Sequence, residues 1–125
     1  PEGVRFENDI PAGMMLYTDP LIRTVIRNLI DNALRHGQPL TLIRFSLERR
    51  EEGGWIICED NGSGVAGEDK EKIFSRSYGK NTGMGLFLIR EILSVSGMTI
   101  RETGTEGRGA RFEIHVPDRI IRLET

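Results

Sequence analysis

The chain has 125 residues, which is the size of one ordinary domain with a single core. Its formal net charge of -2 and its scattered lysines and arginines exclude the basic surface that a nucleic-acid-binding domain needs. No apolar run approaches the roughly 18 residues of a membrane span, so we expect no direct membrane contact by this domain.

The only cysteine, Cys58, has no partner for an internal disulfide, which favours a reducing, cytoplasmic compartment. The N-terminus carries no signal-peptide pattern. Because the chain begins at Pro1 and not at a methionine, we expect residues 1–125 to be one domain from a longer protein. That longer protein could carry a membrane anchor elsewhere.

Two short strands, residues 4–10 and 15–18, are predicted before the most regular helix, Pro20–His36. Pro20 suits the first helical position, and Gly37 ends the helix. Apolar residues recur at helical spacing along one side, which predicts a buried face. These residues are Ile22, Val25, Ile26, Leu29, Ile30 and Ala33.

Residues 42–49 and 55–60 predict an antiparallel hairpin around a glycine-containing turn. A polar stretch of about twenty residues follows, with one short helix predicted at 70–74, and such a segment inside a compact domain is most often a functional lid. An apolar helix is predicted at residues 86–96, with Arg90 and Glu91 on its exposed side.

Two strands, residues 98–103 and 110–116, end the predicted series. The last strand alternates, with Ala110, Phe112, Ile114 and Val116 expected to face inward and Arg111, Glu113 and His115 outward. Helices on one face of a mixed, mostly antiparallel sheet give an α+β fold, a two-layer α/β sandwich.

Asn28, Asn32 and Arg35 share one flank of the first helix. Asparagine is a poor helix former, so two of them one turn apart need a reason. An amide oxygen is a hard ligand suited to Mg²⁺, and an arginine one turn further can pair with a phosphate. The alternative is a solvated edge in which Asp31 pairs with Arg27 and Arg35 at i,i+4 spacing.

Asp60 follows Ile56 and Cys58 on one strand face and precedes a glycine-rich loop. A carboxylate at the mouth of an apolar pocket suits recognition of an adenine amino group. A plain turn is the alternative, since Asp-Asn-Gly is strong turn chemistry. The glycines at 62, 64 and 67 match the spacing of a dinucleotide-binding loop, but a polar stretch replaces the helix that such a fold requires.

A second glycine pair, Gly83 and Gly85, opens the apolar helix. Free N–H groups at a helix N-terminus form a ready anion site, although a glycine before a helix is also common in flexible loops. The P-loop pattern and the signatures of Ser/Thr/Tyr protein kinases are absent from the sequence, so a nucleotide site here is of another kind.

In their order along the chain, these motifs resemble the ATP-binding domain of sensor histidine kinases, in the GHKL superfamily with DNA gyrase, the heat-shock ATPase chaperones and MutL. The resemblance covers nearly the whole chain and implies a Bergerat-type ATP-binding fold. The motifs are Asn28-Leu29-Ile30-Asp31-Asn32-Ala33-Leu34-Arg35-His36, Asp60-Asn61-Gly62-Ser63-Gly64, Lys72-Ile73-Phe74, Thr82-Gly83-Met84-Gly85-Leu86 and Gly107-Arg108-Gly109.

The resemblance implies ATP and Mg²⁺ as cofactors. By that resemblance Asn32 is the metal ligand, Asn28 and Arg35 are the catalytic residues at the phosphates, and Asp60 receives the adenine amino group. The other residues it assigns to the nucleotide are His36, Gly62, Gly64, Thr82, Gly83, Met84, Gly85 and Leu86.

The resemblance also implies an ATP lid over residues 65–82, with Arg76 and Lys80 as basic candidates for the γ-phosphate. Three positions depart from the family pattern. Ser77 replaces a phenylalanine, Asn81 replaces a glycine, and Ala110 replaces a small hydroxyl residue.

Hydrolases of the superfamily are similar to one another in having a glutamate where this chain has Asn28. An amide cannot take a proton from water near neutral pH, which favours phosphoryl transfer to a histidine. Neither His36 nor His115 fits as the acceptor. The resemblance therefore implies a partner in the same kinase, a dimerisation domain with a phosphoacceptor histidine, and indirectly a response regulator. The alternatives are a GHKL-type ATPase, an anti-sigma-type serine kinase and a degenerate docking module.

Overall fold

A computed structural model of the chain describes residues 3–10, 20–36, 39–51, 53–75 and 85–117, with the backbone alone at His36. The described segments form a five-stranded sheet and two α-helices, with two short 3₁₀ turns between the third strand and the second helix. In chain order these are β1 (Arg5–Asn8), α1 (Pro20–His36), β2 (Leu42–Arg50), β3 (Gly53–Asp60), the 3₁₀ turns Gly67–Asp69 and Lys72–Phe74, α2 (Gly85–Val95), β4 (Thr99–Glu102) and β5 (Arg111–Val116).

The strands lie in the order β1-β2-β3-β5-β4, so β3 is central. β1 pairs with β2 in parallel, and the remaining neighbours are antiparallel. This confirms the predicted mixed, mostly antiparallel sheet. Asp60, the last residue of β3, pairs with Ile43 near the start of β2. The strand order thus brings the end of β3 next to the beginnings of β2 and β5.

One face of the sheet packs against both helices and forms the core. Apolar residues alternate along the inner strands of this face, as in Ile56 and Cys58 of β3 beside Phe112 and Ile114 of β5. The helices contribute one stripe each, and burial of these side chains is the main favourable term for the fold. The stripes are Ile22, Val25, Leu29 and Ala33 from α1, and Leu86, Ile89 and Leu93 from α2.

The other face of the sheet is covered by charged side chains. Glu113 was predicted to face outward, and it does lie on this face, but it is only 5% exposed. Arg111 donates to Glu113 at 3.0 Å and to Glu59 at 2.9 Å, and Arg101 donates to Glu113 at 2.9 Å. Burial opposes ionisation of Glu113, but the hydrogen bonds from Arg111, Arg101 and Thr103 outweigh it and lower its pKa.

Most predicted bounds agree with the structure to within two residues. The helix Pro20–His36 is confirmed at both ends, and β3 begins two residues earlier than predicted. The segment predicted as one short helix at 70–74 contains only the 3₁₀ turn Lys72–Phe74, and a second 3₁₀ turn, Gly67–Asp69, precedes it. The strand predicted at residues 15–18 lies outside the described part of the chain.

Candidate functional site

Asp60 ends β3 with its carboxylate held by the backbone. Its Oδ1 accepts hydrogen bonds from the N–H of Gly62 at 2.8 Å and from the N–H of Ala110 at 3.1 Å. No residue in the described part of the chain donates to its Oδ2. The carboxylate is therefore fixed in orientation, and one of its oxygens is left to accept a hydrogen bond from a ligand.

The loop after β3 and the turn between β4 and β5 touch through their backbones. A Cβ on Gly109 would lie 1.9 Å from the carbonyl oxygen of Asp60. Gly64 has a φ of +77°, and its Cβ would lie 3.0 Å from the carbonyl oxygens of Thr105 and Gly109. This approach requires glycine on both sides and is what brings the N–H of Ala110 to Asp60.

Asn61 attaches the same loop to β2. Its Oδ1 accepts from the N–H of Thr41 at 2.9 Å and of Leu42 at 3.0 Å, and its Nδ2 donates to Oγ1 of Thr41 at 2.9 Å. These bonds occupy the Asn61 amide, so its role in the described structure is to hold the loop in place.

Asn28 and Asn32 are half-buried on one flank of α1. The Nδ2 of Asn28 donates to the carbonyl oxygen of Thr24 at 2.8 Å, which leaves its Oδ1 as an acceptor. Arg35 pairs with Asp31 at 3.0 Å, with both side chains nearly half exposed. The i,i+4 pair that the sequence offered as an alternative is thus present. An exposed pair of this kind contributes little to stability.

Gly85 begins α2 with a φ of +74°, a value that favours glycine. Leu86 follows it and joins the core at 9% exposure. The N-terminus of α2 is therefore attached to the core by its second residue.

The first part of the predicted lid is anchored in the core. Ile73 and Phe74 are buried, and Phe74 meets Phe112 edge to face at 6.3 Å between ring centroids. Arg90 was predicted to be exposed, but its guanidinium lies 4.1 Å from the ring centroid of Phe74. Arg90 also donates to Glu71 and to the carbonyl oxygen of Ile100, each at 3.3 Å. Arg90 is therefore only partly exposed, at 36% of its side chain, because Phe74 covers part of that side of α2, while Glu91 is exposed as predicted.

Sequence reasoning missed two groups near this site. The N–H of Ala110 is a main-chain group, so no side-chain pattern could reveal it. Glu102 is buried on the core face, in the same alternation as Ile100. A carboxylate in an apolar register was a usable signal, but its partner, Lys70, lies 32 residues away.

Comparison with known proteins assigns the chain to a family. Residues 18–120 match the family of histidine kinase-, DNA gyrase B- and HSP90-like ATPases. The chain belongs to this family. The predicted resemblance is confirmed, and so is the α+β fold, for which the open five-stranded sheet with two helices is the structural counterpart.

Two relatives are named as sensor proteins, and one of them as a sensor protein kinase. The chain is 26% identical to the sensor protein kinase GraS of Staphylococcus aureus, over 93% of this chain and 36% of GraS. It is 33% identical to the sensor protein SrrB of the same species, over 74% of this chain and 18% of SrrB. The chain thus spans well under half of the length of these curated relatives.

A similar solved structure is the ATP-binding domain of PrrB from Mycobacterium tuberculosis. It is 30% identical, with a TM-score of 0.65, and the similarity covers 78% of this chain and 67% of that one. The arrangement of strands and helices is therefore shared with that ATP-binding domain.

The structure brings some of the residues assigned by resemblance to this family into one region and leaves others untested. Asp60, Gly62 and Gly64 form one loop at the end of the central strand. The side chain of His36 and the residues Arg76, Lys80, Thr82, Gly83 and Met84 lie outside the described part of the chain, as do the departures at Ser77 and Asn81. At Ala110, the third departure, the contact with Asp60 is made by the main chain and needs no hydroxyl.

Neither helix in the described segments of this family member combines the length and apolar character needed to cross a membrane. Within the same segments, no group of three or more His, Cys, Asp and Glu side chains is arranged to hold a metal ion.

Proposed function

We propose that this chain binds ATP with Mg²⁺ and donates the γ-phosphoryl group to a histidine on a separate dimerisation domain of the same kinase, from which a response regulator is phosphorylated. The observation that carries the proposal is Asp60. One of its oxygens is fixed by two backbone N–H groups, and the other is left to accept, which suits the donor amino group of adenine.

The chemistry of the α1 flank fits the rest of the nucleotide. Nδ2 of Asn28 donates a hydrogen bond to the carbonyl oxygen of Thr24. The amide oxygen of Asn28 is therefore left as an acceptor, which suits a hydrogen bond from a metal-bound water. The Asn32 amide forms no hydrogen bond within the described part of the chain and is proposed as the direct Mg²⁺ ligand. Bound Mg²⁺ would neutralise charge on the phosphates.

Two features favour transfer to another domain over hydrolysis. Asn28 stands where a general base for water would be needed, and an amide is not basic near neutral pH. His115 lies on the sheet face away from the helices, with its ring 4.7 Å from that of Trp55, and is therefore a poor candidate for the acceptor. The residues of this chain would bind and orient the nucleotide, and the nucleophile would come from outside.

The adenine contact is tested with Asp60→Asn. An asparagine keeps an oxygen for the N–H groups of Gly62 and Ala110 but replaces the free acceptor with an amide donor. We expect ADP affinity, measured by calorimetry, to fall by about one to two decades, the equivalent of a lost charged hydrogen bond. Affinity for inosine diphosphate, which carries a carbonyl oxygen in place of the amino group, should fall less or rise.

Glu106→Gln is the matched control, because Glu106 is an exposed carboxylate on the turn between β4 and β5. It should bind both nucleotides as the wild type does. An unchanged preference for ADP over inosine diphosphate in Asp60→Asn would contradict the adenine assignment.

The metal assignment is tested with Asn32→Ala. We expect the variant to fold normally, because Asn32 is outside the buried stripe of α1, and to lose the Mg²⁺-dependent part of ATP binding. Calorimetric titrations of ATP with and without Mg²⁺ measure this difference. Asn32 is not the ligand if the magnesium dependence is the same before and after the substitution.

The transfer step is tested by mixing the chain with γ-labelled ATP and the dimerisation domain of its own kinase. Label should appear on that domain as an acid-labile, alkali-stable phosphohistidine. Label on this chain alone would contradict the proposal.

A further inference from the structure

Glu102 is a buried carboxylate with both oxygens occupied. Its side chain is 0% exposed, and charged residues are rarely buried unless they are paired. Its Oε1 forms an ion pair with Nζ of Lys70. Its Oε2 accepts from the backbone N–H groups of Gly104 and Arg111, each at 3.0 Å. This is the arrangement in which a buried charge is tolerated.

Lys70 is equally well partnered, although 28% of its side chain is exposed. Besides Glu102, its Nζ donates to the carbonyl oxygens of Gly104 at 2.8 Å and Val65 at 3.4 Å. An ammonium group has three donors, and each of them has an acceptor here. Since Lys70 lies between the two 3₁₀ turns, the pair ties the first part of the predicted lid to the end of β4.

The backbone leaves room for the Glu102 carboxylate because residue 104 is a glycine. A Cβ on Gly104 would lie 2.8 Å from Oε2 of Glu102 and 2.9 Å from the N–H nitrogen of Arg111. Any larger residue at 104 would therefore push the carboxylate away from that N–H. Only glycine at 104 allows its own N–H and that of Arg111 to reach the Glu102 carboxylate together.

Glu102 and Asp60 hold consecutive amides of one chain segment. The N–H of Ala110 donates to Asp60, and the N–H of Arg111 donates to Glu102. The 110–111 segment is held by both carboxylates as well as by the backbone N–H groups of Asp60 and Thr103, so Glu102 contacts the residue next to one that orients Asp60. Lys70 is connected to Asp60 through this path.

We propose that Lys70 and Glu102 are positioning residues that hold the start of the lid and the Asp60 carboxylate in one fixed arrangement for the adenine nucleotide. This rests on the proposed function. Replacing a buried ion pair with apolar residues of similar size is often neutral for stability. An apolar pair, however, has no acceptor for the N–H groups of Gly104 and Arg111. The pair therefore differs from an apolar pair in holding these two N–H groups, and with them the local backbone, in place.

The test is the double variant Lys70→Met/Glu102→Leu, which fills the same volume without charge. We expect ADP affinity to fall about ten-fold, as for one misplaced charged hydrogen bond. We also expect the amide resonances of Gly62 and Ala110, which donate to Asp60, to shift in the nucleotide-free protein. The resonance of Gly62 decides, because Gly62 does not adjoin the substituted groups, whereas Ala110 precedes Arg111 and shifts in either case. Lys70→Arg keeps the charge and should retain wild-type binding.

Lys72→Met is the matched control, because Lys72 is an exposed lysine in the same segment. It should bind ADP within two-fold of the wild type. If the first double variant does not fold, Lys70→Met/Glu102→Gln keeps an acceptor at 102 and should still weaken binding at least five-fold.

ADP binding by the folded double variant within two-fold of the wild type overturns the inference. Weaker binding with an unmoved amide resonance at Gly62 also overturns it. If the wild type binds no ADP, the proposed function has failed instead. The amide measurement needs no nucleotide and still decides whether the pair orients the Asp60 loop.

Discussion

Gly109 shows how one missing side chain determines the geometry of the candidate site. The space where its Cβ would lie is taken by the carbonyl oxygen of Asp60, 1.9 Å away, and its φ is +114°. Gly107, two residues earlier in the same turn, has a φ of +86° but no atom within 4 Å of such a Cβ. Both glycines thus have a left-handed backbone conformation, but only Gly109 is also in close contact with another segment.

Gly109→Ala should destabilise the fold by about 3 kcal/mol or more, because the steric clash adds to the left-handed backbone strain. Gly107→Ala, as the control, should lose only about 1–2 kcal/mol from the backbone strain. Urea unfolding measures both. Equal losses would mean that the contact between the turn and Asp60 is not as close as described.

At the scale of elements, local signals predicted the helices and strands well. α1 agrees at both ends because Pro20 and the glycine after His36 mark its limits and its apolar spacing is regular. The lid segment was less predictable, since its two 3₁₀ turns depend on contacts with β4 and α2 rather than on local propensity.

In the candidate site too, local signals predicted the position of a residue but not its long-range contacts. The position of Asp60 at the end of a buried strand face could be predicted from alternation alone. Its fixed orientation could not, because the second N–H that holds it comes from Ala110, 50 residues later. The burial of Glu113 was missed for a related reason. Alternation predicts the face of a residue, but not which long side chains lie across that face.

At the scale of the whole molecule, the two faces of the sheet are stabilised by different interactions. One face packs against helices, and the other is covered by ion pairs around Arg111, which contacts Glu48, Glu59 and Glu113. Hydrogen bonds from arginines also lower the pKa of Glu48, with that from Arg50 the largest cause. The stability of the open face therefore depends on pH.

Glu113→Gln should destabilise the fold at neutral pH by about 1.5–3 kcal/mol, because its hydrogen bonds to Arg111 and Arg101 lose their charge. A lowered folded-state pKa means that this contribution is complete above the ordinary value of 4.5 and is lost as pH falls through the folded value. Wild type and variant should therefore converge in acid.

Thermal unfolding between pH 7 and pH 3 measures this convergence. Glu91→Gln, at an exposed position on α2, is the control and should follow the wild type throughout. A constant gap between Glu113→Gln and the wild type over this range would contradict the assignment of the pKa shift.

The burial of Cys58 gives the molecule a chemical reporter of its own. This thiol is 5% exposed, two residues before Asp60 on the central strand, and burial raises its pKa. Alkylating reagents react with the thiolate, so the reaction requires the sheet to open around β3 and expose Cys58. The rate of alkylation of the unmodified protein therefore measures that opening, and a nucleotide that binds the closed form should slow it in proportion to its occupancy.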